Sequence, residues 1–162
     1  GEVNRMILES RGGWTEAVSY LLLIRGTFTM TMLRYLERYA YNDAERLIYE
    51  RVLQDKARHM TYGLDHLRYA MAHQDDMGLI LQQLLFIGDR VLAREMHDNV
   101  LREALAIVFA GGLEDAGTEG MRLFNAMMSD FMCRYLDTCE WLGVKRNRAM
   151  LPKPLAVYLG GE

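Results

Sequence analysis

Four residues stand where their polarity does not belong, and they are the ones placed to do chemistry: Arg25, Lys56, His59 and Glu95. Each projects into an apolar helical stripe when the chain is wound at about 100° per residue. Two cations facing one interior are costly unless a counter-charge meets them. Three arrangements answer that cost. Arg25 and Lys56 snorkel out between helices, or Glu95 supplies the counter-charge of an internal ion-pair network, or the two cations hold an anionic ligand. The first two predict that Lys56→Met is tolerated or stabilising, and the third predicts loss of a ligand. His59, alone in its apolar arc, is expected to be a hydrogen-bonded core side chain. Glu95 is expected to be buried, and Asp89, Glu103 and His97 are expected at the surface.

Other reactive side chains form no recognisable constellation. His59, His66 and His73 recur every seven residues and so form a column. Positions seven apart are ~10.5 Å apart along a helix, too far to share one metal. Cys133 and Cys139 project about 120° apart on one helix, too divergent for a disulfide within it. They are read as reduced thiols of an intracellular, cytoplasmic protein. The sequence has no glycine-rich phosphate loop, no serine nucleophile elbow and no Cys-x-x-Cys.

Long helices must position these residues. The first is expected from Trp14 to about Ala40, with the stripe Trp14, Ala17, Leu21, Phe28, Met32 and Leu36, and Arg25 in its middle. Asn42-Asp43 is a turn and N-cap signal. The second helix follows to about His73, antiparallel to the first because the link is short. Its apolar arc covers about half its circumference, so it is expected to pack on more than one side, with Lys56 and His59 inside. The third runs from about Met77 to Phe109. Its start is apolar nearly all round and is expected to be buried, and its stripe then narrows to Leu81, Leu84, Leu85, Gly88, Val91 and Leu92, continued by Glu95. Ala110-Gly111-Gly112 closes it. The fourth, from about Thr118 to Leu142, carries a Met-rich core face: Phe124, Met127, Met128, Phe131, Met132, Tyr135 and Leu142. Gly143 ends it. Residues 145–162, including Leu151-Pro152-Lys153-Pro154, are read as an extended strap, and Arg11-Gly12-Gly13 as a break before the first helix.

The 162 residues suit one domain, 51% hydrophobic and 25% charged, with a net charge of -3. That charge, with no basic stripe, argues against nucleic acid. Leu21-Leu22-Leu23-Ile24 is stopped by Arg25, far short of the ~20 residues a membrane span needs. No signal peptide is visible. The chain begins with Gly1, which leaves it open to being a piece of a longer protein.

The segment Asp55-Lys56-Ala57-Arg58-His59 resembles the Asp-Glu-x-Arg-His motif of the ferritin-like di-iron carboxylate proteins. Met60-Thr61-Tyr62-Gly63 resembles the stretch that follows the His in oxygenase-like members. Leu23-Ile24-Arg25-Gly26 stands where that family often shows Glu-Gly, and Arg134-Tyr135-Leu136 to Leu142-Gly143-Val144 is similar to the close of such domains. The resemblance covers roughly residues 15–75. It implies an all-α, ferritin-like antiparallel bundle of four long helices and an ancestral iron-dependent activation of O2. Of the positions that would bind metal by resemblance, His59 is kept, while Lys56 and Arg25 replace the two Glu. The fourth helix offers no Glu-x-x-His, and Asp130 with Cys133 projects onto its polar face. Iron takes carboxylate oxygens with imidazole, and cationic side chains repel it.

The expectation is therefore a degenerate member with no cofactor and a structural or interaction role, as a homo-oligomer or with a partner chain. One alternative is an active di-iron oxygenase or hydroxylase whose iron ligands are completed by another segment or chain. Another is a binding protein that holds an anion at Arg25 and Lys56.

Overall fold

A computed structural model describes residues 14–97 and 99–160. The described residues are helical, joined by turns, with no strand among them. Helix α1 (Trp14–Val18) runs through a π-helical turn (Ser19–Ile24) into α2 (Arg25–Arg38). Then come α3 (Asp43–His73), α4 (Met77–His97) and α5 (Asn99–Ala110). A second π turn (Ala116–Gly120) leads into α6 (Met121–Trp141). The break expected at residues 11–13 and the exposure expected for the His97 side chain lie outside what is described.

Local chemistry explains the boundaries. Asn42 caps α3 by accepting the Glu45 N–H at 2.9 Å. The Glu45 carboxylate in turn accepts from the Tyr41 N–H and the Asn42 amide, both at 3.1 Å. Gly111 (φ 72°) ends α5 and Gly143 (φ 78°) ends α6. At both ends the residue after the glycine donates back to the last turn: Gly112 N–H to Ile107 O at 3.1 Å, and Val144 N–H to Cys139 O at 2.9 Å. A Cβ at either glycine would strain that left-handed backbone.

The π turn changes the expected packing of the first helix. An extra residue in one turn rotates everything beyond it by about 100°. Leu21 is therefore 41% exposed, whereas Leu23 and Ile24 are buried. Ser19, at the turn's entry, satisfies its buried hydroxyl by donating to Thr15 O at 2.7 Å.

Segment 14–38 lies against α3 with early residues meeting late ones: Trp14 and Thr15 reach His66, Leu22 touches Gly63, and Gly26 touches Met60. The two therefore run antiparallel. Glycine on each side lets the backbones approach where a larger residue would collide with Leu22 or Met60. Helix α6 supplies the core's centre, with Phe124, Met127, Met128, Phe131, Met132, Tyr135 and Cys139 buried, and Leu142 is buried just past its end. Phe28 packs edge-on to Phe131, ring centroids 5.4 Å apart.

Three expectations are corrected. Helix α3 is less enclosed than expected: it buries Gly63, Leu67 and Ala70 and lays Arg68 over the Trp141 ring of α6, 4.7 Å from its centroid, while Leu47, Ile48 and Val52 stay exposed. The start of α4 is not enclosed, because Leu79, Ile80, Phe86 and Ile87 face outward. The tail is not extended throughout. It winds into single turns at Arg148–Met150 and Val157–Leu159, on either side of α7 (Lys153–Ala156). Val144, Leu151 and Leu155 anchor it to the core. No helix among the described residues is long and apolar enough to cross a membrane.

Candidate functional site

Arg25 opens α2 directly after the π turn, and Glu95 lies in the last turns of α4. Arg25 Nη2 donates to Glu95 Oε1 at 2.7 Å. Both side chains are about one-third exposed (32% and 31%), so the pair sits at the rim of the interior. Water screens it there, and its contribution is of the order of 1 kcal/mol or less. Lys56, half-buried on α3, has no ion-pair partner among the described residues.

His59 is not a core residue. Its side chain is 63% exposed and its Nδ1 lies 3.6 Å from Asp55 Oδ2, one turn back on the same helix. The contacts of α3 with segment 14–38 fall at Met60, Gly63 and His66, which leaves Lys56 half-buried beside them and His59 outside them. The histidine column divides accordingly. His66 packs against Trp14, and His73 stacks on Tyr69 with ring centroids 4.0 Å apart.

These positions do not fit iron. No group of three or more His, Cys, Asp or Glu that could hold a metal occurs among the described residues. The arginine at the first position is engaged by Glu95, a lysine stands at the second, and the imidazole faces outward. Cys133 and Cys139 are both free thiols, Cys133 exposed and Cys139 buried.

The most buried charges lie elsewhere and involve residues expected at the surface. Asp89 on α4 is 1% exposed. Tyr135 on α6 donates its hydroxyl to Asp89 Oδ1 at 2.7 Å, and Arg146 of the tail forms an ion pair with Asp89 Oδ2. The Arg146 side chain is only 3% exposed. Burial pushes the Arg146 guanidinium below its usual range and the Tyr135 phenol well above its own. Cys139, one turn beyond Tyr135, is pushed up by burial to about 12. The cluster ties α4, α6 and the tail together through one carboxylate. It is closed to solvent, so it is a clamp rather than a reaction centre. A signal for it was available in the sequence: a tyrosine inside a clean apolar stripe must find a partner for its hydroxyl.

A groove of about 340 Å³ separates α2, α3 and α6, with Arg34, Arg134 and Asp137 among its lining side chains. Burial and then the nearby Arg134 charge lower the Arg34 guanidinium. Comparison with family models, with curated proteins and with solved structures finds no match for this chain.

Proposed function

We infer that this chain is a ferritin-like helical bundle related to di-iron oxygenases and hydroxylases, in which an ion pair stands where metal once bound, and that its role is structural or interactive rather than catalytic. The observation that carries this reading is the 2.7 Å contact of Arg25 with Glu95. In a di-iron ancestor the Arg25 position would by resemblance be a carboxylate, repelling neighbouring carboxylates until a cation joined them. An arginine in place of one carboxylate removes that repulsion and supplies a fixed positive charge, so the helices no longer need the ion.

The paired contacts support the bundle assignment. Segment 14–38 and the α4–α5 segment run the same way, since Arg25 meets Glu95 while Tyr35 and Tyr39 meet Phe109. The α4–α5 segment and α6 run oppositely, since Asp89 meets Tyr135 while Ala106 meets Gly120 at the head of α6. Up-down-up-down order is what a four-helix bundle with short loops adopts, whereas a ferritin-like fold carries one long crossover, so these contacts support a four-helix bundle and not the ferritin-like connectivity. The engagement of Arg25 by Glu95 also leaves Lys56 alone to attract an anion, which weakens the anion-binding reading.

A ligand that binds the folded state raises its melting temperature by mass action. Anaerobic Fe(II) and Mn(II), each added in excess, are therefore expected to leave thermal unfolding unchanged. A saturable rise in melting temperature that disappears in His59→Ala would overturn the reading.

A further inference from the structure

Helix α4 is apolar on two opposite sides. Its inner side carries Leu81, Leu85 and Leu92, all buried. Its outer side carries Leu79 (62% exposed), Ile80 (40%), Phe86 (48%) and Ile87 (49%), and nothing among the described residues covers it. A helix apolar on both sides ordinarily has a neighbour on each.

We propose that this outer face is where two copies of the chain meet, their α4 helices packed antiparallel across a two-fold axis at Gln83. The inference goes beyond the ion-pair reading and does not depend on it, because iron in the bundle would leave this face unchanged.

The occupant follows from the order of residues. A two-fold contact requires a patch to complement itself. Gln83 is exposed at the centre of the face, and the other residues fall symmetrically about it. Ile80 and Phe86 lie three residues to either side, so Ile80 meets the partner's Phe86. Leu79 and Ile87 lie four to either side, so Leu79 meets the partner's Ile87. Asp76 and Arg90 lie seven to either side, so each exposed carboxylate meets an exposed guanidinium. All seven positions fall within about 120° of the helix circumference. The face thus pairs apolar with apolar and negative with positive at every step of one register. The Arg90 guanidinium already lies over the Phe86 ring, 4.1 Å from its centroid, which keeps the charge at this face.

The contact is small. Asp76 to Arg90 spans about 21 Å of helix, and Met150, 44% exposed, flanks this face beside Leu79, Phe86 and Ile87. An interface of this size falls at the low end of specific ones, so the dimer is weak and concentration-dependent.

Sedimentation of the full chain between about 1 and 100 μM tests it. The weight-average mass is expected to rise from one chain toward two. Ile87→Glu, at an exposed position, is expected to leave a folded monomer with unchanged helical content. Asp76→Arg and Arg90→Asp are each expected to weaken association about tenfold, and the double variant to restore it, because the exchanged charges again face each other. In a Cys133→Ser background, Gln83→Cys is expected to give a covalent dimer under mild oxidation, and Glu103→Cys is not. A monomer at every concentration would overturn the proposal. So would a dimer that persists in Ile87→Glu, or a double charge exchange that fails to restore association.

Discussion

Replacing Arg146 by methionine removes the only cation seen on the most buried carboxylate among the described residues. Asp89 Oδ1 would keep the Tyr135 hydroxyl, but Oδ2 would lose its counter-charge in a site that is 1% exposed. Breaking a buried pair by removing one partner costs about 3–5 kcal/mol, because the remaining charge stays desolvated. In a chain of this size each kcal/mol moves the melting temperature by about 2–4 °C, so Arg146→Met is expected to lower it by roughly 6–20 °C. The cost should come from the stranded charge rather than from lost packing, since methionine replaces the arginine stem. Asp89→Asn keeps an acceptor for Tyr135 while removing the charge. Asp89→Asn combined with Arg146→Met is therefore expected to recover about 2 kcal/mol or more relative to the sum of the singles. Urea unfolding followed by circular dichroism at pH 7 measures all four proteins. Strict additivity, or an Arg146→Met loss below about 1 kcal/mol, would refute the clamp.

Other consequences are separable by experiment. Lys56→Met is expected to be neutral or stabilising in the same unfolding assay, and Glu95→Gln to cost no more than about 1 kcal/mol, since the Arg25–Glu95 pair is one-third exposed. Gly120→Ala is expected to cost more than Gly26→Ala, although alanine favours a helix. Its new methyl would meet the Ala106 backbone carbonyl, whereas at Gly26 it meets the flexible end of Met60. A thiol reagent at neutral pH is expected to modify Cys133 and not Cys139 until the protein unfolds, which mass spectrometry would show. Burial holds the Cys139 proton up to about 12, against 9.0 for an ordinary thiol. Above pH 9 the unfolded chain therefore releases a proton that the folded chain keeps. Stability should fall through that window by up to about 1.4 kcal/mol per pH unit, and Cys139→Ala should show a shallower fall.

Helix boundaries were legible because local residues write them. Asn42 with Glu45 fixes the start of α3, and Gly111 and Gly143 fix two helix ends. The Met-rich stripe of α6 was legible because a single apolar face has one way to be buried. The π turn was not legible, since its six residues Ser19–Ile24 have the periodicity of ordinary helix. That inserted residue put Leu23 and Ile24 inside in place of Leu21. Asp89 read as surface because its partner Arg146 lies in the tail, and nothing local announces a buried pair made across that distance. His59 and the start of α4 misled for a shared reason: an apolar arc says that something covers it, not that the same chain does. The family resemblance drew attention to Arg25, Lys56 and His59, of which only Arg25 meets another of the singled-out residues, Glu95.

The proposed role rests on the Arg25–Glu95 ion pair standing where iron would be. Elemental analysis of the purified protein, expressed with iron and manganese in excess, tests it most directly. The expected result is metal well below one ion per chain, with the helical content intact. One or two ions of iron or manganese per chain, retained through gel filtration, would contradict it.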